Sequence, residues 1–465
     1  MTNRSLLKQQ KRAKEHQQRR AKQAACDKER LTSAAINELV RHCEKKSQNE
    51  YALLALLVLI SGRTVSKLFS VKPILIDDNV AQLPIRWNKA QVPESFLPET
   101  EYIKTSNQEF TLVPQKLASN LSKLQQETDA EACDRQLKAF LTKVRTSTKE
   151  HITPITLAKA LGFQKHQFNI SVFEWSFLCD EPKNVLGQNS YVAFSAEKLF
   201  RKHIKFMAQF IDTAPLERYL TELKHDVWFG SPRVLTTESV VKAFSHIVNN
   251  LNQAISQRTN YERVHNWFTV YTVQLMQLAT LHRPISNVFR TLDQFNLRNN
   301  TVEIVDKGEE SRRLVPLCKV ATEALCNYLA YLEKLKDVAR FEARNFTSEV
   351  DKSLEGKACL FRAWSHSGLT DDYRSLRGLG ISELFTKSNW HRHFISTALV
   401  SKDYDRYLIN TFSGHRLDSQ TAYGKSKSFT YDDLLKVSTA IESIITKLDL
   451  ARVPSVDEYL LGAAL

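Results

Sequence analysis

Twelve glycines and twelve prolines across 465 residues leave few places where this chain can turn sharply. An all-β fold needs many tight turns, and tight turns draw on those two residue types. Long stretches rich in Leu, Ala, Lys, Glu and Gln favour helix instead. The expected fold is mainly α with small β-hairpins. One ordinary core does not serve a chain of this length, because single domains mostly run ~100–200 residues. With 42% hydrophobic and 25% charged residues, the chain has the balance of a globular protein able to bury real cores.

Lys and Arg number 65 against 51 Asp and Glu, a formal charge of +14. An excess of that size suits a polyanionic partner, and nucleic acid heads the list. Residues 1–30 concentrate it, with ten Lys or Arg against three acids and neither Gly nor Pro. They read as a solvated basic helix or arm that tracks a phosphate backbone, or as a frayed tail. The seven cysteines are scattered, with no C-x-x-C pair and no Cys/His cluster at zinc spacing, so reduced thiols in a cytoplasm are expected. The longest apolar run, residues 52–60, is far short of the ~20 residues of a membrane span, and the first residues are polar and charged rather than signal-like. No membrane partner is expected.

The punctuation suggests five segments. After the arm (1–32), residues 33–125 combine an apolar helix at 51–60 with short extended stretches at 73–76, 82–87 and 110–114, an N-terminal mixed α/β region. Residues 126–232 have the apolar spacing of a helical bundle, at 137–144, 155–161 and 196–210. Gly230, Ser231 and Pro232 form a linker, and Thr236, Thr237 and Glu238 read as a helix opening. A final domain then runs over 233–450, and 451–465 is a tail.

The most informative stretch begins at Leu281-His282-Arg283-Pro284-Ile285-Ser286, where a helix ends in Arg283. Residues 301–305 and 312–317, with β-branched residues on both sides, flank a charged turn containing Gly308, which predicts a hairpin with Lys307 at its tip. Far downstream come Asn389-Trp390-His391-Arg392-His393-Phe394, then Ser413-Gly414-His415, then Tyr423, and last an amphipathic helix over 431–448. In this order the set resembles the catalytic domain of tyrosine recombinases and integrases, over about residues 236–448. The specificity lies in the ordered set, since a lone Arg-Pro, Gly-His or Tyr means almost nothing.

That resemblance implies a catalytic domain at 233–450 preceded by a helical core-binding domain at 126–232. The two clamp duplex DNA, in a tetramer of the protein on DNA, without metal or nucleotide. It also assigns roles. Attack of a hydroxyl on a phosphodiester builds charge on the equatorial oxygens, which the guanidiniums of Arg283 and Arg392 would hold bidentately. Lys307 would protonate the leaving 5′-oxygen. A phenol has a pKa near ~10, so Tyr423 needs positive charge and a hydrogen-bond partner to act as nucleophile. His415 is the candidate, as base or as phosphate ligand. Asn389 stands where the family often has His; it can donate or accept a hydrogen bond but cannot carry a proton, so it is a phosphate ligand at best. His391 and His393 read as packing residues. Tyr431 is the alternative nucleophile. Two other readings stay open: a type IB topoisomerase-like nicking-closing enzyme, and a recombinase-fold DNA-binding accessory protein weakened in catalysis.

Residues 63–69 (R-T-V-S-K-L-F) share the pattern of residues 283–289 (R-P-I-S-N-V-F), and Leu112-Val113-Pro114 matches Leu314-Val315-Pro316, each before a helix. Either residues 45–125 are a degenerate copy of the front half of the catalytic domain, holding structure or DNA, or common residues coincide.

Overall fold

The structure is a computed structural model that describes residues 30–86, 104–106, 108–148, 150–181, 191–222, 227–257, 261–283, 289–305, 312–339, 346–365, 368–371, 389–414 and 429–451. It is mostly helical, with small antiparallel sheets. The described residues fall into two compact units. The first is drawn from within 1–88, 107–185 and 195–227, and the second from within 89–106, 186–194 and 228–465.

The first unit is built around α2 (Glu50–Ser61), which packs against α1 (Ser33–Lys45). Apart from its first turn, α2 is apolar nearly all round, so it must be covered on every side. After α3 (Val65–Phe69), strands β1 (Ile74–Leu75), β2 (Val80–Pro84) and β3 (Phe110–Pro114) form an antiparallel meander that runs into α4 (Gln115–Glu127). Helix α5 (Ala130–Thr148) packs on α1, α2 and α3. The covering of α2 is extended by α6 (Pro154–Ala158) and α7 (Ala160–Gln164), and α8 (Val172–Leu178) packs on α7. Residues on both sides of the boundary expected at 125/126 lie in this one unit. The helices expected to form an independent bundle complete the burial of α2, which the sheet and α4 alone leave open.

Helices α9 (Ala196–Met207) and α10 (Ala214–Glu222) belong to the first unit, and β4 (Ala193–Ser195), just before them, pairs with β5 (Trp228–Gly230). The second unit continues with α11 (Thr237–Ser256), capped by the Thr236 hydroxyl, and α12 (Tyr261–Thr280), buried from Val264 to Thr280. Polar groups on so buried a helix need partners. Asn266 pairs with both main-chain groups of Trp364, donating to its carbonyl at 2.7 Å and accepting its N–H at 2.8 Å, and Thr269 bonds the Tyr328 hydroxyl at 2.9 Å. A meander of β6 (Phe295–Asn296), β7 (Thr301–Ile304) and β8 (Arg313–Pro316) leads to α13 (Lys319–Ala339), then α14 (Phe346–Leu354) and the hairpin of β9 (Ala363–Ser365) and β10 (Gly368–Thr370). Helices α15 (Trp390–Ser401), α16 (Arg406–Phe412) and α17 (Tyr431–Lys447) close the unit.

The two units repeat one plan, and the repeat runs further than the two sequence matches. In each, the central helix ends in a left-handed residue, Gly62 (φ 66) or Leu281 (φ 54). The hydroxyl just before it donates back one turn, Ser61 to the Leu57 carbonyl (2.6 Å) and Thr280 to the Met276 carbonyl (2.7 Å). The same hydroxyls accept the N–H of Arg63 and of His282, both at 3.3 Å, so the structure sets Arg63 at the place of His282, one residue off its sequence match to Arg283. The meanders share strand order and register: Val80 faces Pro114 and Ala81 faces Val113, as Thr301 faces Pro316 and Val302 faces Val315. Helix α6 packs on α2 as α15 packs on α12. Each stretch then reaches a left-handed residue, Asn169 (φ 54) or Asp403 (φ 60), a seven-residue helix, α8 or α16, and a second left-handed residue, Asp180 (φ 51) or Gly414 (φ 72). Between meander and α6 or α15 the units differ, α5 standing in the first where α14 and the β9–β10 hairpin stand in the second. No helix of the described residues is long and apolar enough to cross a membrane.

Candidate functional site

The sequence-predicted residues that the structure describes, Arg283, Asn389 and Arg392, belong to the second unit. Helix α12 stops at Thr280, three residues before Arg283. The Thr280 hydroxyl turns back onto the helix and Leu281 leaves it in the left-handed region. The helix expected to end in Arg283 is thus capped early, and Arg283 stands half-buried on the loop that follows. A second non-glycine in the left-handed region, Phe289 (φ 50), lies on the far side of this loop, with its ring 4.6 Å from that of His282. Such conformations cost about 1–3 kcal/mol each and persist where the surroundings over-determine them.

Two hydrogen bonds join this loop and the start of α15, and a third lies within the loop. Arg392, fully buried, donates from Nε to the Leu281 carbonyl at 2.6 Å. The His391 Nε2 donates to the His282 carbonyl, and His282 Nδ1 bonds the Arg283 carbonyl at 2.6 Å. His393 bonds the Ser231 hydroxyl at 2.6 Å through Nδ1. His391 and His393 thus orient α15 by buried hydrogen bonds. Asn389 precedes the helix, and its side-chain amide donates to the Tyr191 hydroxyl at 3.4 Å.

Strands β7 and β8 pair antiparallel on the two sides of the segment that holds Lys307. Lys307 itself, His415 and Tyr423 lie outside the described residues, as do the basic arm through residue 29 and the tail from residue 452. The alternative nucleophile, Tyr431, is the first residue of α17; its hydroxyl donates to the Asn299 carbonyl at 3.3 Å, and the side chain is 44% exposed.

Arg313 joins the same neighbourhood, though sequence reasoning did not single it out. Its Nε donates to the Phe412 carbonyl at 3.1 Å, and its Nη2 lies 3.5 Å from the Leu281 carbonyl that also receives Arg392. Strand alternation carries the signal that could have found it. In β8 Val315 is buried and Leu314 exposed, so Arg313 shares the inward face, opposite the buried Ile304. The carbonyl of Leu281 thus gathers two guanidiniums two residues before a third. A guanidinium presents paired N–H groups that fit phosphodiester oxygens, and in Arg392 and Arg313 the Nε of each is engaged by a main-chain carbonyl. Among the described residues, no three His, Cys, Asp or Glu side chains gather as a metal site, and the six described cysteines are free thiols.

In the first unit the corresponding positions lack this chemistry. Counting back from Asn169 and Asp403, Ala158 takes the position of Arg392, and Glu181 follows Asp180 as His415 follows Gly414. Glu181 forms an ion pair with Lys67 at 2.6 Å. No protein family, curated protein or solved structure matches this chain.

Proposed function

We propose that this protein is a site-specific DNA recombinase of the tyrosine type, which cleaves and rejoins duplex DNA for the integration or excision of a mobile element. In this reading the Tyr423 phenolate attacks the scissile phosphorus, the bond to the 5′-oxygen breaks, and Lys307 supplies the proton that oxygen takes. A 3′-phosphotyrosine keeps the bond energy for rejoining to a second 5′-hydroxyl. Arg283 and Arg392 hold the equatorial oxygens as charge builds on them. The active assembly is a tetramer on DNA.

The observation that carries the reading is the Arg392 bond to the Leu281 carbonyl. It couples the helix of the second arginine to the loop of the first, residues more than a hundred positions apart in sequence. The +14 charge supports a DNA partner. The first unit, with Ala158 and Glu181 at the matching positions, is on this reading a copy without chemistry.

The test is to trap the protein on a nicked suicide duplex and map the modified residue. A covalent adduct at Tyr423 is expected. An adduct at Tyr431 moves the nucleophile, and tight binding with no adduct favours an accessory DNA-binding protein. The burial of Arg392 and the engagement of Asn389 with Tyr191 are the observations that favour this second reading.

A further inference from the structure

Arg313 begins β8, the strand that returns from the turn of Lys307, and its guanidinium reaches two other chain segments. One is the end of α16, where Nε donates to the Phe412 carbonyl at 3.1 Å, three residues before His415 in sequence. The other is the end of α12, where Nη2 approaches the Leu281 carbonyl at 3.5 Å, two residues before Arg283. Gly414 makes room for it. Gly414 has φ +72, which favours glycine, and a Cβ there would lie 2.5 Å from Nη1 and push the guanidinium from its place.

The geometry points to Arg313 as a positioning residue that fixes the start of β8, the end of α12 and the end of α16 relative to one another, the described ends nearest in sequence to Lys307, Arg283 and His415, a role that rests on the recombinase reading above. The first unit supplies an internal comparison. Its seven-residue helix ends at Leu178 as α16 ends at Phe412, and the Leu178 carbonyl also receives a guanidinium Nε at 3.1 Å, from Arg63. Thr111 occupies the register position of Arg313, opposite Leu83 as Arg313 is opposite Ile304, and it accepts from Arg63 Nη2 at 3.2 Å. The same carbonyl is thus bound in both units, by arginines from different segments. Where Ala158 and Glu181 stand at the active positions the contact serves the fold alone; in the second unit it lies between segments that carry the proposed chemistry.

The test compares single-turnover formation of the covalent adduct on a nicked suicide duplex at saturating full-length protein. Arg313→Ala should slow it roughly 10- to 100-fold, the scale of misplacing reacting groups by up to about 1 Å, with DNA affinity unchanged. Arg313→Lys keeps one donor and should recover part of the rate. Gly414→Ala should reproduce the defect by displacing the guanidinium without removing it, and with Arg313→Lys it carries the comparison if Arg313→Ala does not fold. Arg63→Lys should lower the melting temperature without slowing adduct formation by folded protein. Unchanged rates in the Arg313 and Gly414 variants overturn the positioning role alone, as does a rate loss that Arg63→Lys matches at equal loss of stability. Wild-type protein that forms no adduct overturns the recombinase reading and this role with it.

Discussion

Arg392 Nε donates to the carbonyl oxygen of Leu281 at 2.6 Å, and Leu281 presents that carbonyl from the left-handed region at φ 54. A leucine there costs about 1–2 kcal/mol, and the buried charged bond offsets it. Arg392 therefore has a fold role beside its proposed chemistry, and the two can be read separately. Both Arg283→Ala and Arg392→Ala should cut cleavage by ~10² or more, the scale for losing a preorganised donor, with a much smaller fall in DNA affinity. Arg392→Ala should also cost stability, about 1.5–3 kcal/mol, because the buried Leu281 carbonyl loses its short charged donor and keeps only the 3.5 Å approach of Arg313. Suicide-duplex cleavage beside denaturant melts reads both quantities. Recombination retained by either variant removes that arginine from the active site.

A second prediction concerns acid. His203 and His265 are each fully buried, with Nε2 donating to a main-chain carbonyl, that of Ile60 at 2.7 Å and that of Arg362 at 3.0 Å. Neither Nδ1 has a hydrogen-bond partner among the described residues. Burial lowers both side chains to a pKa of about 4. Unfolded, each takes its proton near pH 6.5, so between those values the unfolded state binds more protons and stability rises with pH. Their contribution is fully present above about pH 6.5 and is lost as pH falls toward 4, at up to about 1.4 kcal/mol per pH unit for each. His265→Gln keeps a donor for the Arg362 carbonyl and cannot titrate. Its urea midpoint should fall less steeply over this window than that of the wild type; identical slopes would show that His265 does not carry the effect.

Local periodicity made individual elements legible. The apolar run at 51–60 became α2, the β-branched pairs flanking Lys307 became β7 and β8, and the stripe after Tyr423 became α17, where Thr430 and Asp433 form the capping box that starts it. The back half of the repeat was not legible, because geometry rather than residue identity preserves it. Its left-handed positions hold Asn169 and Asp180 in one unit and Asp403 and Gly414 in the other, residue types that share tolerance of that conformation and little else. Gly62 and Leu281 share even less. Periodicity likewise identified amphipathic helices on both sides of 125/126 without saying which helix they cover. At the site, Arg283 and Arg392 stood out by chemical type, whereas Arg313, legible only as part of the phrase Arg313-Leu314-Val315-Pro316-Leu317, gains a role once strand register sets which way it faces.

The basic arm gives a third prediction. Many Lys and Arg contacts to phosphate release counterions, so DNA affinity should fall steeply with salt, the slope scaling at about −0.9 per phosphate neutralised. Ten of the 65 basic residues lie in positions 1–30. Deleting them should flatten a plot of log affinity against log salt if the arm follows the backbone. An unchanged slope makes it a free tail.

The last prediction concerns α17, whose apolar stripe could serve either a neighbouring protomer or its own unit. It is occupied within its own unit. Val437, Ile441, Ile444 and Ile445 are buried, and the helix packs on α12, α13, α15, α16 and β8. Polar contacts reinforce this. The Ser438 hydroxyl donates to the Pro316 carbonyl at 3.1 Å, and Glu442 accepts the N–H of Lys319, an orphan donor at the start of α13, at 3.1 Å. Just beyond the helix, the Leu450 carbonyl accepts from the Tyr271 hydroxyl at 3.0 Å. Burying four aliphatic side chains at ~1.5–3 kcal/mol each contributes roughly 6–12 kcal/mol, against a total domain stability of ~5–15 kcal/mol. Truncation after Thr430 should therefore unfold the second unit, seen as loss of its cooperative melting transition and rapid proteolysis, and Ile441→Ala alone should cost ~2–5 kcal/mol. A truncated protein that keeps that transition and binds single sites, yet fails to pair them on a native gel, would show that the helix serves the neighbouring protomer instead.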